Sequence, residues 1–320
     1  MRRLVPALLI LLGLFAAACG SDSDSSGTTT DDGAVTVTTA ETTTTTTAVS
    51  APGSSGDDPG TFAGTPSAIV SLNPSATEML FAIGAGEQVM AVDNFSYYPP
   101  EAPVIEDLSA FDPNIEAIAD LEPDLVVLPD AGIVDQLDGL GINSLVLPAS
   151  VTIDDTYTQI EQLGAVTGRV GDAAQLVADM QADIAAAVDG FAAPATPPTY
   201  YHELDDTLFS VTSDTFIGEV YALFGLENVA DAVNDDTTYP QLTEEFLLAA
   251  DPDLIFLADT VCCGQTADTL AARPGWDALT AVTAGTVIEL DDDVASRWGP
   301  RIVEFVDAIA AALAQIPAPA

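Results

Sequence analysis

Few side chains in this sequence are suited to chemistry. The chain has one histidine, His202, which is followed by Glu203, and three cysteines, Cys19, Cys262 and Cys263. A single imidazole excludes a metal cage of several histidines, and the cysteines lack metal-ligand spacing and are too few for a disulfide scaffold. An extracellular enzyme would need a nucleophile–base pair or a metal centre, and the sequence around His202 contains neither motif. We predict that the protein is not an enzyme and has no metal site or cofactor of its own.

Two pairs of neighbouring residues, one at the end of the predicted strand 200–204 and one after the predicted strand 254–257, are candidate ligand contacts. In the first pair, His202 is either an axial ligand of a haem iron or cobalt ion or a hydrogen-bonded histidine at a strand end, and we prefer the second interpretation. Glu203 lies at the same strand end and is a candidate contact for the same reason. In the second pair, Cys262 and Cys263 form a vicinal disulfide, which we favour, or remain two thiols, or ligate a metal. The disulfide would present a stiff apolar surface to a ligand.

The charge of the chain excludes several classes of partner. Its 320 residues include 50 acidic residues, six arginines and no lysine, for a formal charge of -44. Because phosphate binding needs clustered basic residues, nucleic acids are excluded, and docking on an anionic membrane through a basic patch is disfavoured. We interpret the acid excess as an adaptation of solubility to salt. The length and the hydrophobic content of 48% permit two domains with cores of their own.

The N-terminal segment has the features of a secretory signal. Arg2 and Arg3 precede an apolar run at 4–18, which is shorter than the roughly 18 to 20 residues needed to span a bilayer. Cys19 follows three alanines in a sequence that resembles a bacterial lipobox. We therefore expect residues 1–19 to be a lipoprotein signal with Cys19 lipidated; the alternative is a plain secreted protein. Residues 20–66 are rich in Ser, Thr, Gly and Asp and predict a disordered tether. We expect an extracytoplasmic protein whose lipid is its only attachment, at the outer face of the cytoplasmic membrane.

The rest of the chain alternates predicted strands with helices, which is typical of parallel sheets covered on both faces. The fold class that this predicts is α/β, with two lobes that each hold a mostly parallel sheet flanked by helices. A capping box from Ser75 to Glu78 predicts that the first helix begins there. The expected strands are 68–72, 89–92, 124–128 and 144–147 in the first half and 200–204, 209–211 and 254–257 in the second.

The two halves repeat one pattern and are joined by a predicted long helix. Residues 114–127 align with 243–256 at an offset of 129, which superposes Glu116 on Glu245. Between the halves, residues 172–188 have apolar side chains at helical spacing and no Gly or Pro. They predict a single helix that connects the lobes rigidly and leaves a ligand cleft between them.

Several motifs resemble the cobalamin and iron-siderophore binding proteins of bacterial ABC importers. They are residues 69–84, Tyr98–Pro100, the Asn-Ile-Glu motif at 114–116, the Glu-Pro-Asp-Leu motif at 122–125, and Arg297 with Pro300 and Arg301. The resemblance implies two α/β lobes bridged by one long rigid α-helix, no catalysis, and capture of a metal chelate for a membrane permease. The expected limits are 67–168 for the N-terminal lobe, 169–192 for the bridging helix and 197–320 for the C-terminal lobe.

The resemblance also implies functional residues. One acidic side chain on each lobe of these proteins meets arginines of the permease, and by motif match these are Glu116 and Glu245, although both would also stabilise the first turn of a helix. The implied ligand contacts are Tyr97, Phe111, Tyr239, Asp293 and Arg297, and Trp298 beside Arg297 is a further candidate. For the three aromatic residues the alternative is a place in the core. For Asp293 and Arg297 the alternative is an ion pair that clamps a helix start, and Trp298 is a wall of the cleft or a lid.

Charge narrows the expected ligand. Haem and catecholate siderophores are anionic and require several basic residues, whereas the predicted pocket offers Arg297 and at most one or two other arginines within a strongly negative protein. We expect a cobalamin-like corrinoid first and a ferric hydroxamate siderophore second, captured by a monomeric lipoprotein that works with an ABC permease and ATPase. The alternatives are a transporter-independent ligand-sensing or scavenging lipoprotein and a haem-binding protein.

Overall fold

The computed structural model of the protein describes residues 64–191, 196–233 and 237–315. The predicted signal segment with Cys19, and the predicted tether up to residue 63, lie outside these ranges. Within them, no helix combines the length and the apolar character needed to cross a membrane.

Two sheets, each of four parallel strands, form the framework. The strands are β1 (Ile69–Ser71), β2 (Val89–Val92), β3 (Leu125–Leu128) and β4 (Asn143–Val146) in the first half, and β5 (Thr199–Glu203), β6 (Glu227–Asn228), β7 (Leu254–Leu257) and β8 (Val287–Glu289) in the second. Their spatial orders, β2-β1-β3-β4 and β6-β5-β7-β8, match position by position. The predicted α/β class with two parallel-sheet lobes is confirmed.

Helices connect the strands and cover the sheets. They are α1 (Pro74–Ala82), α2 (Ile115–Asp120), α3 (Val134–Gly139), α4 (Ile153–Thr167), α5 (Val170–Asp189), α6 (Phe216–Ala222), α7 (Glu244–Ala250), α8 (Ala267–Ala271), α9 (Thr280–Ala284), α10 (Asp292–Ser296) and α11 (Ile302–Leu313). The connections that run from one parallel strand to the next place these helices on the faces of the sheets.

Two details of the predicted secondary structure are wrong. The capping box does not form at Ser75, because Asn73 caps α1 by accepting a hydrogen bond from the N–H of Ala76 at 3.1 Å, with a proline at the first helical position. The predicted strand at 209–211 is absent from the described residues, where Phe209 makes only an isolated antiparallel bridge with Gln241. The first error matters for function, since it frees Glu78 for another role.

Strand residues alternate between two covered faces, which explains the apolar character of the strands. One large core is shared by the two halves and receives Ile69, Leu125, Val127, Tyr200, Leu254 and Phe256. The opposite faces build a separate core in each half, from Val70, Val126 and Leu128 in the first and from Tyr201, Ile255 and Leu257 in the second. A polar residue in the middle of either sheet is therefore buried whichever face it occupies.

Helix α5 lies between the two sheets in chain order and has 20 residues. It buries Ala173, Val177, Met180 and Ile184 in the shared core, at the three- and four-residue spacing of one helical face. Its length is about 30 Å at 1.5 Å per residue. The sequence prediction of one uninterrupted helix here is confirmed, while its action as a rigid connection stays a prediction.

The internal repeat is visible in the backbone. Glu122 and Asp251 are 129 residues apart, and both have a positive φ, of 51° and 45°, immediately before the Pro-Asp that leads into β3 or β7. Asp124 then accepts hydrogen bonds from the two N–H groups before β1, at 2.9 and 3.1 Å, and Asp253 accepts one from the N–H of Thr199 at 2.8 Å. Equivalent carboxylates thus anchor the first strand of each sheet.

Candidate functional site

Loops and helices of the two halves meet around one ion-pair cluster. Glu78 of α1 is 3% exposed and accepts hydrogen bonds from Nη1 of Arg297 at 3.0 Å and from Nε and Nη2 of Arg301 at 2.9 and 2.6 Å. Arg297 also donates to the carbonyl of Phe95 at 2.9 Å and pairs with Asp293 at 2.8 Å. Because Glu78 and Phe95 belong to the first half and both arginines to the second, the cluster joins the halves.

The sequence does not predict this role for Glu78. The one available signal is a carboxylate inside a short apolar helix, since a charged residue is rarely buried without a partner. Its partners are 219 and 223 residues away along the chain, so the identity of the pair depends on the fold.

Aromatic side chains stand exposed on the first half beside the cluster, and we call Phe95, Tyr97 and Phe111 the aromatic wall. Phe95 is 43% exposed and Phe111 is 83% exposed, and their rings meet edge to face with centroids 5.3 Å apart. Tyr97 is 51% exposed, and its ring lies 5.1 Å from the guanidinium carbon of Arg297. Large aromatic side chains exposed together on loops indicate a binding surface. Tyr97 and Phe111 were expected here; Phe95, two residues before Tyr97, was missed.

Asp293 and Arg297 form an ion pair, which was the alternative to a ligand contact, with side chains 22% and 11% exposed. The Arg297 guanidinium lies over the Tyr97 ring, and burial, followed by the neighbouring Asp293 carboxylate, raises the pKa of the Tyr97 phenol, so this phenol stays protonated. The pair therefore holds the aromatic wall against the second half. A ligand contact by either residue stays a prediction.

On the second half, the loop that follows β7 carries the two adjacent cysteines at an exposed tip. We call Thr260–Gly264 the cysteine loop. The sulfur atoms of Cys262 and Cys263 are bonded to each other, as the favoured interpretation of the sequence expected. Because both sulfur atoms are used in this bond, neither two free thiols nor a pair of metal ligands describes the loop.

The two remaining aromatic candidates differ in exposure. Tyr239 is 49% exposed, close to the bridge between Phe209 and Gln241. Trp298 is half-buried and packs against the shared core, and in the described part of the chain its Nε1 has no hydrogen-bond partner. This packing favours a wall over a lid for Trp298, and ligand contact by either residue stays a prediction.

The expectation that His202 contacts a ligand is wrong. His202 lies in β5 on the face of the shared core, is 0% exposed, and has Nδ1 2.8 Å from the hydroxyl of Tyr221. Burial lowers the pKa of its imidazole to about 3, so the ring is neutral. The sheet is covered on both faces, which is why a residue at the end of its strand is enclosed. The interpretation as a hydrogen-bonded core histidine is the one that the structure supports.

Glu203 is likewise not a ligand contact, because it occupies the other covered face of β5. It is 0% exposed and accepts hydrogen bonds from both terminal nitrogens of Arg273, at 2.6 and 2.5 Å. Nearby Asp259 is also 0% exposed, and neither of its carboxylate oxygens has a hydrogen-bond partner among the described residues. Burial, and then the charge of Glu203, raise the pKa of Asp259 to about 7.

The two candidate docking glutamates occupy equivalent places. Glu116 and Glu245 are exposed, and each is the second residue of its helix, α2 or α7. Asn114 caps α2 at 3.1 Å and Thr243 caps α7 at 3.2 Å, each through the N–H three residues ahead. The structure thus presents one free carboxylate per half at the same position of the repeated unit; contact with a permease stays a prediction.

Two surface cavities lie beside some of these residues. One of about 450 Å³ is lined by side chains that include Asp206, Glu244 and Arg273, and one of about 650 Å³ by side chains that include Phe81 and Arg169. None of the predicted ligand contacts lines either cavity. The candidate ligand contacts that are exposed, Tyr97 and Phe111 with Phe95 on the first half and Cys262 and Cys263 on the second, lie on open surface.

Comparison with known proteins gives consistent matches. A family model described as periplasmic binding protein matches residues 69–294. An uncharacterized ABC transporter substrate-binding lipoprotein of Bacillus subtilis, YvrC, is 29% identical over 255 residues, which are 77% of this chain and 79% of that protein. A cobalamin-binding protein of Halobacterium salinarum is 33% identical over 259 residues, 75% of this chain and 67% of that protein. The solved structure of the periplasmic heme-binding protein RhuT from Roseiflexus superposes with a TM-score of 0.66 and 26% identity, over 78% of this chain and 98% of that chain.

Proposed function

The chain belongs to the periplasmic binding protein family, and we propose that it captures a neutral or cationic metal chelate between its two halves and delivers it to an ABC permease. A cobalamin-like corrinoid is the first candidate and a ferric hydroxamate siderophore the second. The names of two relatives support this proposal, since one is a substrate-binding lipoprotein of an ABC transporter and the other a cobalamin-binding protein.

The observation that carries the choice of ligand is the pairing of the arginines. Each arginine in the described residues already has a carboxylate partner: Arg169 with Asp172, Arg273 with Glu203, Arg297 with Glu78 and Asp293, and Arg301 with Glu78. The chain has no lysine, and burial keeps its one imidazole neutral. An anionic ligand needs cationic donors to replace its hydration, so the carboxylates of haem and the catecholates of siderophores are disfavoured.

The aromatic wall supports a large ligand with an apolar face. Phe95 and Phe111 offer two rings in an edge-to-face arrangement, which a broad, flat chelate can cover. The similarity to a heme-binding structure makes haem the ligand against which the proposal has to be tested. A haem iron would find no axial imidazole at His202, which is enclosed in the core.

Equilibrium binding tests the proposal directly. We expect cyanocobalamin to quench the fluorescence of half-buried Trp298 and to bind more tightly than ferrioxamine, with haemin and a ferric catecholate binding weakly or not at all. The variant Trp298→Phe separates this signal from that of Trp276, which is 0% exposed. Tight binding of haemin, with none of cyanocobalamin or ferrioxamine, would refute the proposed ligand class.

We further propose that the protein works as a monomer outside the cytoplasm, held to the membrane by a lipid on Cys19, with Glu116 and Glu245 docking on a permease that is driven by an ATPase. The B. subtilis relative, named as a lipoprotein, supports the anchor. Mass spectrometry of the N-terminal peptide of the membrane-extracted protein tests it: a diacylated cysteine is expected, and an unmodified one contradicts it.

A further inference from the structure

The cysteine loop is anchored from beneath by one carboxylate. Asp292, the first residue of α10, accepts hydrogen bonds from the N–H of Val261 at 3.0 Å and from the N–H of Cys262 at 2.6 Å. Two backbone donors on one carboxylate fix the orientation of the loop, because charge-assisted hydrogen bonds are the stronger kind.

The exposed side of the loop is apolar. Val261 is 69% exposed, and Cys262 and Cys263 are exposed as well. At the base of the loop, the hydroxyl of Thr260 donates to the carbonyl of Leu290 at 2.5 Å. The hydroxyl of Thr260 and the N–H groups of Val261 and Cys262 are thus bonded to the neighbouring segment, whereas the disulfide and the valine beside it are exposed to solvent.

Two consecutive carboxylates place this tip next to the aromatic wall. Asp292 holds the cysteine loop of the second half, whereas Asp293 pairs with Arg297, whose guanidinium lies over the Tyr97 ring and donates to the carbonyl of Phe95 on the first half. The loop and the wall therefore approach each other across the first turn of α10. A ligand that covers the aromatic rings and extends past α10 would have the disulfide as an apolar neighbour on the second half.

From this arrangement we propose that Asp292 is a positioning residue of the ligand site, which holds the Cys262–Cys263 disulfide as an apolar contact for the chelate. This inference rests on the proposed function and adds a residue that acts through the loop and does not touch the ligand. A vicinal disulfide supplies apolar surface without rotatable side-chain bonds, so little entropy is lost when it is covered.

The test is a double-variant comparison with cyanocobalamin as the probe. We expect Asp292→Ala and the pair Cys262→Ser with Cys263→Ser each to weaken binding about tenfold, and the triple variant to show no further loss, because both changes act on one contact. Asp268→Ala, which removes an exposed carboxylate from the first turn of α8, is the matched control and should bind like the wild type. Unchanged affinity of Asp292→Ala, or losses that add in the triple variant, would overturn the inference.

Two further measurements keep the test decisive if Asp292→Ala folds poorly. A dithiol such as dithiothreitol reduces the wild-type disulfide: each cysteine sulfur gains one electron and one proton, and the dithiol closes to a cyclic disulfide. After removal of the reagent, the reduced protein should show the same loss of affinity and regain its affinity on reoxidation; unchanged affinity contradicts the contact.

Hydrogen exchange at the amides of Val261 and Cys262 reports the anchor by Asp292 without any ligand. Equal protection of these amides in the wild type and in Asp292→Asn contradicts the anchor. If the wild type binds no chelate at all, both the proposed function and the proposed contact fail. The exchange measurement still decides whether Asp292 anchors the loop.

Discussion

Glu78 and Arg301 are joined by two hydrogen bonds that cross between the halves of the protein, from Nε to Oε2 at 2.9 Å and from Nη2 to Oε1 at 2.6 Å. The same carboxylate binds Arg297, which in turn holds the carbonyl of Phe95. One buried glutamate thus fixes both the approach of the two halves and the position of the aromatic wall. This is a tertiary contact with direct consequences for stability and binding.

The first prediction concerns that glutamate. Glu78→Gln removes the charge that compensates two nearly buried guanidinium groups and should lower the free energy of unfolding by roughly 3 to 5 kcal/mol. Urea unfolding monitored by circular dichroism measures it. Glu161→Gln, an exposed position on α4, is the matched control and should change stability by less than about 0.5 kcal/mol. Equal stabilities of the two variants would show that the cluster is not stabilising.

The aromatic wall should affect binding and leave stability almost unchanged. Phe111 is 83% exposed, so Phe111→Ala removes little buried surface from the folded protein. We expect cyanocobalamin affinity to fall about tenfold, which corresponds to about 1.4 kcal/mol, with a thermal midpoint close to that of the wild type. Leu140→Ala, also exposed but at the end of α3, should alter neither quantity. Wild-type affinity in Phe111→Ala would show that the aromatic wall is not part of the binding site.

The raised pKa of the buried Asp259 carboxyl should make the free energy of unfolding depend on pH. Its pKa is raised to about 7, so between its ordinary value of 3.8 and pH 7 the unfolded chain releases a proton that the native state retains. Rising pH therefore favours unfolding over this interval, by at most about 1.4 kcal/mol per pH unit. Asp259→Asn removes the effect, so its stability relative to the wild type should increase from pH 4 to pH 7 and then level off.

Urea unfolding at constant ionic strength from pH 4 to pH 8 measures this difference. Asp268→Asn makes the same chemical change at an exposed position and should run parallel to the wild type throughout. Parallel curves for Asp259→Asn and the wild type would mean that the buried carboxyl titrates normally.

His202 should contribute to the stability of the fold and have no effect on the absorption spectrum of the bound ligand. His202→Ala leaves a cavity beside Phe305 and removes the partner of the Tyr221 hydroxyl, which should cost about 2 to 4 kcal/mol. The absorption spectrum of bound cyanocobalamin should be identical in the variant and the wild type. A difference between the two spectra would indicate that the His202 imidazole coordinates the metal of the ligand in the wild type.

The two docking glutamates should affect uptake alone. Glu116→Lys with Glu245→Lys reverses both exposed carboxylates, and we expect cellular uptake of the chelate to be lost while affinity in solution is retained. Glu161→Lys with Glu304→Lys changes the net charge equally at exposed positions outside the repeated unit and should support uptake. Normal transport by the first double variant would refute the docking assignment.

The sequence alone determined the class of fold and the repeated architecture, because these depend on local patterns. Continuous apolar strands, alternation with helices and the match of 114–127 with 243–256 follow from the chain itself, and the structure shows two sheets of equal strand order. The charge excess likewise restricted the expected ligand to neutral or cationic chelates. The long helix α5 followed from apolar spacing without a breaking residue.

Tertiary structure decided which polar residues are exposed at the candidate site. His202 and Glu203 stand at the end of a strand, as the sequence indicated, but helices cover both faces of the sheet there, so both side chains are enclosed. Glu78 looked like part of a helix cap and proved to pair with arginines more than 200 residues away. Local patterns specify backbone conformation, whereas the partner of a buried charge depends on which distant segments pack together, and that is settled only when the whole chain has folded.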